Sequence, residues 1–199
     1  MTDGTRRSLH GVAELLLAGP QYRATGKIRL RITPGGFGTV LEPDLRVAGT
    51  ELVVGERRIS LPGRTFAEVA AEAGIEAGAP EGVYADGSGV APGETIDLDP
   101  ATTGEILAAY AAGDAALRAF APGVELVLWP EHFDVAVTVD EINYGVSPGD
   151  GYLGEPYAYV GPHRPRRGPF WTAPFGAARP LRELPDIAGF FAAGRAAAA

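Results

Sequence analysis

Leu128–Asp140, LWPEHFDVAVTVD, sets Pro-Glu-His between two runs that carry the marks of β-strands. Phe133, Val135, Val137 and Val139 alternate with Asp134, Ala136, Thr138 and Asp140, the period-two pattern of a strand with one face in a core. Ahead of the turn Val124–Trp129 is apolar, and Pro130 stands where its fixed φ suits a turn. The stretch reads as a hairpin, the unit of antiparallel sheet.

Upstream the same grammar recurs. Lys27–Thr33 places Ile28, Leu30 and Ile32 on one face and Lys27, Arg29 and Arg31 on the other, and Pro34-Gly-Gly-Phe-Gly38 breaks it. Short strands follow at Asp44–Val47, Glu51–Val54 and Arg57–Leu61, with Gly49-Thr50 and Gly55-Glu56 as turns, so this part reads as an antiparallel meander. Pro156–Val160 is a further short strand.

Helices are expected at three places. Ser8–Ala18 has an apolar stripe of Leu9, Val12, Ala13, Leu16 and Leu17, stopped by Gly19-Pro20. Thr65-Phe-Ala-Glu68 fits a capping box and opens a short helix to Gly74. Asp99 caps a longer helix with Pro100 in its first turn, a buried seam of Ile106, Tyr110, Gly113, Leu117 and Phe120, and Pro122-Gly123 as its end. The expected fold is one α+β domain over residues 1–199: an antiparallel sheet packed by two main helices, with a proline- and aromatic-rich C-terminal wrap. The Gly/Pro-rich connector 75–98 is its weakest joint.

Composition narrows the function classes. At 46% hydrophobic and 21% charged residues the chain is globular in character. It has no cysteine, so a disulfide framework, a thiol nucleophile and a thiolate metal site are excluded. A net charge of −8 disfavours nucleic acid as a partner, and no run approaches the ~20 apolar residues of a membrane span. Val12–Ala18 contains Glu14 and ends in Gly-Pro, which suits an amphipathic helix better than a cleavable leader, so the expected setting is the cytoplasm.

Three groups of residues could carry chemistry. His132 lies at the hairpin corner beside Glu131 and Asp134, where a histidine general base oriented by a carboxylate would serve a hydrolase or lyase. His10, His132 and His163 would suit a metal only if they converge, and neither HExxH nor His-x-His spacing is present. No cofactor is indicated. Asn143–Phe175 is dense in proline and aromatic residues and holds Arg164, Arg166 and Arg167, which suits a cleft wall able to hold a small anionic or aromatic ligand. Trp129, Tyr144, Tyr157, Tyr159 and Trp171 would line that pocket near the His132 corner. The bland readings are a solvated arginine loop, and carboxylates Glu131, Asp134 and Glu141 balancing the Lys27/Arg29/Arg31 stripe.

"LWPEHFDVAV" with "NYGVSPGD", "EPYAYVGPH", "FWTAPFGA" and "RLRITPGGFGT" resembles a group of uncharacterised proteins from high-GC actinobacteria. That resemblance implies a single family-wide domain and a bacterial cytoplasmic setting, and it transfers no activity, cofactor or catalytic residue. The leading expectation is small-molecule binding near the His132 corner. An enzyme using His132 with Glu131 or Asp134 is the second, and an interaction protein with the aromatic segment as a homodimer interface is the third.

Overall fold

The computed structural model of the chain describes residues 2–198. The fold is α+β with antiparallel strand pairing. The chain divides into two compact units, one of residues up to Ala108 with Leu128–Phe133, the other of Ala109–Val127 with residues from Asp134 onward. The division avoids the 75–98 connector.

The first unit opens on a helix that outruns its expected end. Helix α1 (Thr2–Gly11) leads into a π-helical segment, Val12–Ala18, and then into α2 (Gly19–Thr25), so Gly19-Pro20 does not stop it. The reason is the hydrogen-bond register. In the π segment N–H groups reach back five residues, and Gly19 N–H donates to Glu14 O. The next donor in that register would be Pro20, which has no N–H, so Leu15 O is left open. Gly78 N–H fills it at 3.0 Å. A widened π turn also relieves the clash between a proline ring and the carbonyl four residues back. Gly-Pro here docks a loop instead of ending a helix.

Gln21, fully buried in α2, anchors the following strands. Its amide nitrogen donates to Lys27 O and Arg29 O, and its amide oxygen accepts Val40 N–H and Leu41 N–H, both at 2.8 Å. A buried amide with four partners carries no desolvation penalty for a missing bond.

Five strands follow: β1 (Leu30–Thr33), β2 (Gly36–Thr39), β3 (Leu45–Ala48), β4 (Glu51–Val54) and β5 (Arg57–Ser60), each antiparallel to the next. The expected break at Pro34–Gly38 is therefore half turn and half strand. Alternation was hidden because Gly36 and Gly38 occupy the outward positions of β2. A Cβ at Gly38 would lie 2.7 Å from Leu45 O and 2.9 Å from Arg46 Cβ, so the close approach of β3 excludes a side chain there. The inward residues Leu30, Phe37, Leu45, Val47, Leu52 and Ile59 are almost wholly buried. Helix α3 (Phe66–Ala73) has the capping box, with Thr65 accepting Glu68 N–H and Glu68 accepting Thr65 N–H. Arg57 donates to Glu72 O and Ala73 O at its far end.

Residues 75–99 form a strap along the first helix. Arg7 grips Glu94 with two bonds and also donates to Gly89 O, while Asp97 N–H donates to Ser8 Oγ and Asp99 N–H to Thr5 Oγ1. Ile96 and Leu98 are buried beneath it. Arg7, with the Ala91 N–H, holds the Glu94 carboxyl down at about 2. Glycine and proline density here marks a fitted segment and not a linker. Helix α4 (Pro100–Phe120) starts where Asp99 Oδ1 accepts Thr102 N–H. The short strand β6 (Val127–Trp129) pairs with β1 through Leu128 and Leu30.

In the second unit β7 (Asp134–Val139), β8 (Ile142–Ser147), β9 (Tyr157–Pro162) and β10 (Ala177–Pro180) form an antiparallel meander. The expected wrap contributes β9 and most of β8, and its segments between and after them are irregular. Asp140 and Glu141, both at positive φ (53° and 60°), make the tight β7–β8 turn without the glycine or asparagine that usually announces it. Prolines stand at strand ends, where a missing N–H is harmless. Gly113 of α4 lets the helix settle on β8, a Cβ there falling 2.8 Å from Val146 Cβ. Helix α5 (Ile187–Ala198), which the alanine-rich C-terminal sequence did not announce, buries Phe190, Phe191 and Gly194. Among the described residues no helix is long and apolar enough to cross a membrane.

Candidate functional site

The hairpin corner 130–133 is where buried polar atoms gather in the first unit. Phe133 N–H donates to Trp129 O at 2.8 Å, closing the turn, and Phe133 itself adopts φ 52°. It is a left-handed corner residue, not the first residue of the strand, which begins at Asp134. That conformation costs a non-glycine residue about 1–2 kcal/mol. Packing offsets it: the ring is 1% exposed, lies parallel to His10 at 5.2 Å, and meets Phe37 edge-on at 5.6 Å.

His10 belongs to the last turn of α1, directly before the π segment. Its Nε2–H donates to Pro130 O at 2.6 Å, which fixes the tautomer and leaves Nδ1 as the basic nitrogen. Glu14 Oε2 stands 3.9 Å from the same Nε2. Burial pushes the imidazole below its ordinary value of 6.5; Glu14 and the Pro130 carbonyl pull the other way, and His132 and Arg6 add to the lowering.

Glu14 is 2% exposed and accepts Ser88 N–H at 2.7 Å. Its position one turn beyond His10, inside the π segment, puts both side chains against the same corner. The Tyr84 hydroxyl lies in the field of Glu14 and Glu131, and burial followed by those two charges raises its pKa far above the ordinary phenol value. Glu14 stands near enough to that hydroxyl to help hold its proton, but not in the alignment of a full hydrogen bond. Tyr84 Oη and Glu131 Oε2 are both buried atoms without a partner. Buried polar groups are nearly always bonded, so an unbonded pair in one place points to something that completes it.

The other sequence-predicted residues are placed as follows. His132 is exposed at the corner, and Trp129 beside it is partly buried. In the second unit Asp134 accepts the Tyr159 hydroxyl, and Tyr157 donates to Asp150 at 2.5 Å. Tyr157, Tyr159, Tyr152 and Phe175 form one aromatic group, of which Tyr152 and Phe175 are 48% and 40% exposed. Tyr144 is fully buried against Phe120 and Phe191 and belongs to the core. Trp171 packs on Phe170. Arg164, Arg166 and Arg167 are exposed, and Arg164 comes only to 4.0 Å of Glu141. His163 is exposed and sits 3.2 Å from Asn143 Oδ1. Among the described residues no group of three histidines or carboxylates is arranged to hold a metal ion. Sequence reasoning missed Tyr84, which lies in an aperiodic loop; the His10/Glu14 spacing of one helical turn was the legible half of the cluster.

The state of His10 has a measurable consequence. Its folded-state pKa lies below the unfolded value of 6.5, so the unfolded chain takes up this proton first as pH falls. The corresponding stability is fully present above 6.5 and is lost as pH drops below it. Thermal melts of the parent at successive pH values down to about 5 should show this decline, and His10→Gln should flatten it. Identical profiles for the two proteins would contradict the buried neutral imidazole.

A scan against protein-family models, a search of curated proteins and a search of solved structures each returned no match. The residues of this corner therefore carry the functional reading on their own chemistry.

Proposed function

We propose that the protein binds a small molecule at the 130–133 corner, and that the ligand brings a compact cationic, hydrogen-donating group to Glu131 and Tyr84 beside Glu14. The observation that supports it is the pair of buried, partnerless oxygens, Tyr84 Oη and Glu131 Oε2, in residues that are themselves partly exposed. Two carboxylates and a neutral histidine favour an ammonium or amidine group over the anionic ligand expected from composition. The proposed setting is cytoplasmic, in keeping with a chain that uses no disulfide.

Calorimetric titration with small primary amines, set against neutral and carboxylate analogues of the same size, tests this reading. Amines should bind, and Glu131→Gln should weaken them about tenfold or more, the worth of a charged hydrogen bond. Binding confined to the carboxylate analogues, or unaffected by Glu131→Gln, would sink it. One observation favours a second reading: the fixed tautomer of His10 presents Nδ1 as a general base, so proton transfer to or from the bound molecule would use His10 and not His132.

A further inference from the structure

On the outward face of the first unit's strands, Arg31, Gly38, Arg46 and Val53 lie in one cross-strand row, each the register partner of the next. Gly38 has no side chain, and β3 leaves no room for one, so the two arginines face each other across an open strand. Their Cα atoms are separated by two strand spacings, about 10 Å, a span that two guanidinium groups close easily around one oxyanion. The resulting cleft has a volume of about 330 Å3 and is lined by Arg31, Thr33, Asp44, Arg46 and Val53 among others. That is the size of a small-molecule site, larger than a bare ion needs.

The cationic groups are held ready. Arg31 Nε donates to Thr39 O at 2.9 Å, which lays the side chain across β2 and leaves its terminal nitrogens pointing onward. Among the described residues its acidic neighbour is Asp44, at 4.0 Å and 76% exposed at the rim. Arg46 has no hydrogen bond or ion pair among the described residues, whereas Arg7, Arg58, Arg64, Arg118, Arg182 and Arg195 each hold a carboxylate within 3 Å. Arg46 shares this with Arg166 and Arg167, which lie outside regular structure, but it stands on a strand in register with Arg31. Thr33 adds a second anomaly, a buried hydroxyl with no partner at the same cleft.

We propose that this cleft is a binding site for a phosphomonoester of a small organic molecule. The phosphate would bridge Arg31 and Arg46 and accept the Thr33 hydroxyl, with the organic part over Val53. Two guanidinium forks and a hydroxyl supply donors in more directions than one carboxylate can use, and they match a dianionic tetrahedral group. Asp44 is the competitor at the mouth.

The test is a titration of the full chain with phenyl phosphate, inorganic phosphate and acetate, each against sodium chloride of equal ionic strength, followed by calorimetry and thermal shift. Phenyl phosphate should bind best and inorganic phosphate next. Arg46→Gln should weaken phenyl phosphate at least tenfold while melting like the parent without ligand, and Asp44→Asn should tighten it. Thr33→Val should weaken it severalfold without loss of unliganded stability, since it removes only an unbonded hydroxyl. The proposal is overturned if chloride reproduces the phosphate effect, if acetate binds as well as phosphate, or if Arg46→Gln binds like the parent.

Discussion

Replacing Gly19 by alanine is expected to lower the melting temperature by roughly 6–12 °C. A Cβ at this position would lie 1.6 Å from Gly78 O and 2.8 Å from Gly78 C, both backbone atoms that cannot rotate away. The loop must retreat, and as it does Gly78 N–H leaves Leu15 O, the carbonyl that Pro20 cannot serve. Overpacking of this kind costs about 3 kcal/mol, and each kcal/mol is worth about 2–4 °C in a chain of this length. Alanine is otherwise the best helix former, so propensity alone predicts a gain at a helical position. The sign of the change in a calorimetric melt therefore decides between the two. A melting temperature equal to or above the parent's would mean that the loop does not close on the helix as described.

Gly19 also shows why parts of the fold were legible in the sequence and parts were not. Signals confined to one element could be read directly: the Thr65/Glu68 capping box, the Asp99 cap, the Ile106–Leu117 seam of α4, and the Leu30–Thr33 half of the alternation over Lys27–Thr33. Signals that depend on a distant partner could not. Gly-Pro stops most helices, and here its missing N–H and missing Cβ are both used by a loop nearly sixty residues away. Strand β2 reads as a break in the sequence because its outward positions are glycines, required by the close approach of the neighbouring strand. Strands β8 and β10 hid in a proline-rich stretch because proline marks their ends and not their interiors.

The same division runs through the candidate site. Glu131-His132 could be singled out as unexplained by the turn, yet what faces that pair comes from α1, the π segment and the 75–99 strap. Asp134, the neighbour that spacing offered, is bonded to Tyr159 instead. In the sequence Arg31 is one charge in a stripe that Glu131, Asp134 and Glu141 could balance. Its distinguishing feature is the glycine beside it in β2 and the unpaired Arg46 beyond, a relation that only strand register creates.

Phe133→Ala is expected to cost about 3–5 kcal/mol, the usual loss for a buried phenylalanine, and Phe133→Gly is expected to cost less. Glycine is ordinarily the worse of the two, since it gives the unfolded chain more freedom. At φ 52° the order inverts, because alanine retains the left-handed strain while glycine releases it. Both variants lose the ring that lies on His10 and meets Phe37. Water then reaches the imidazole, the burial that lowers its pKa relaxes, and the loss of stability below pH 6.5 should shrink in each. Paired denaturant titrations at two pH values measure both effects in one experiment. Should the alanine variant prove the more stable, the strained corner is not a determinant of the fold; should the pH dependence persist, something other than the Phe133 ring keeps His10 neutral. If both expectations hold, the strain at the corner serves the site, since the positive φ belongs to the residue whose ring lies on the histidine.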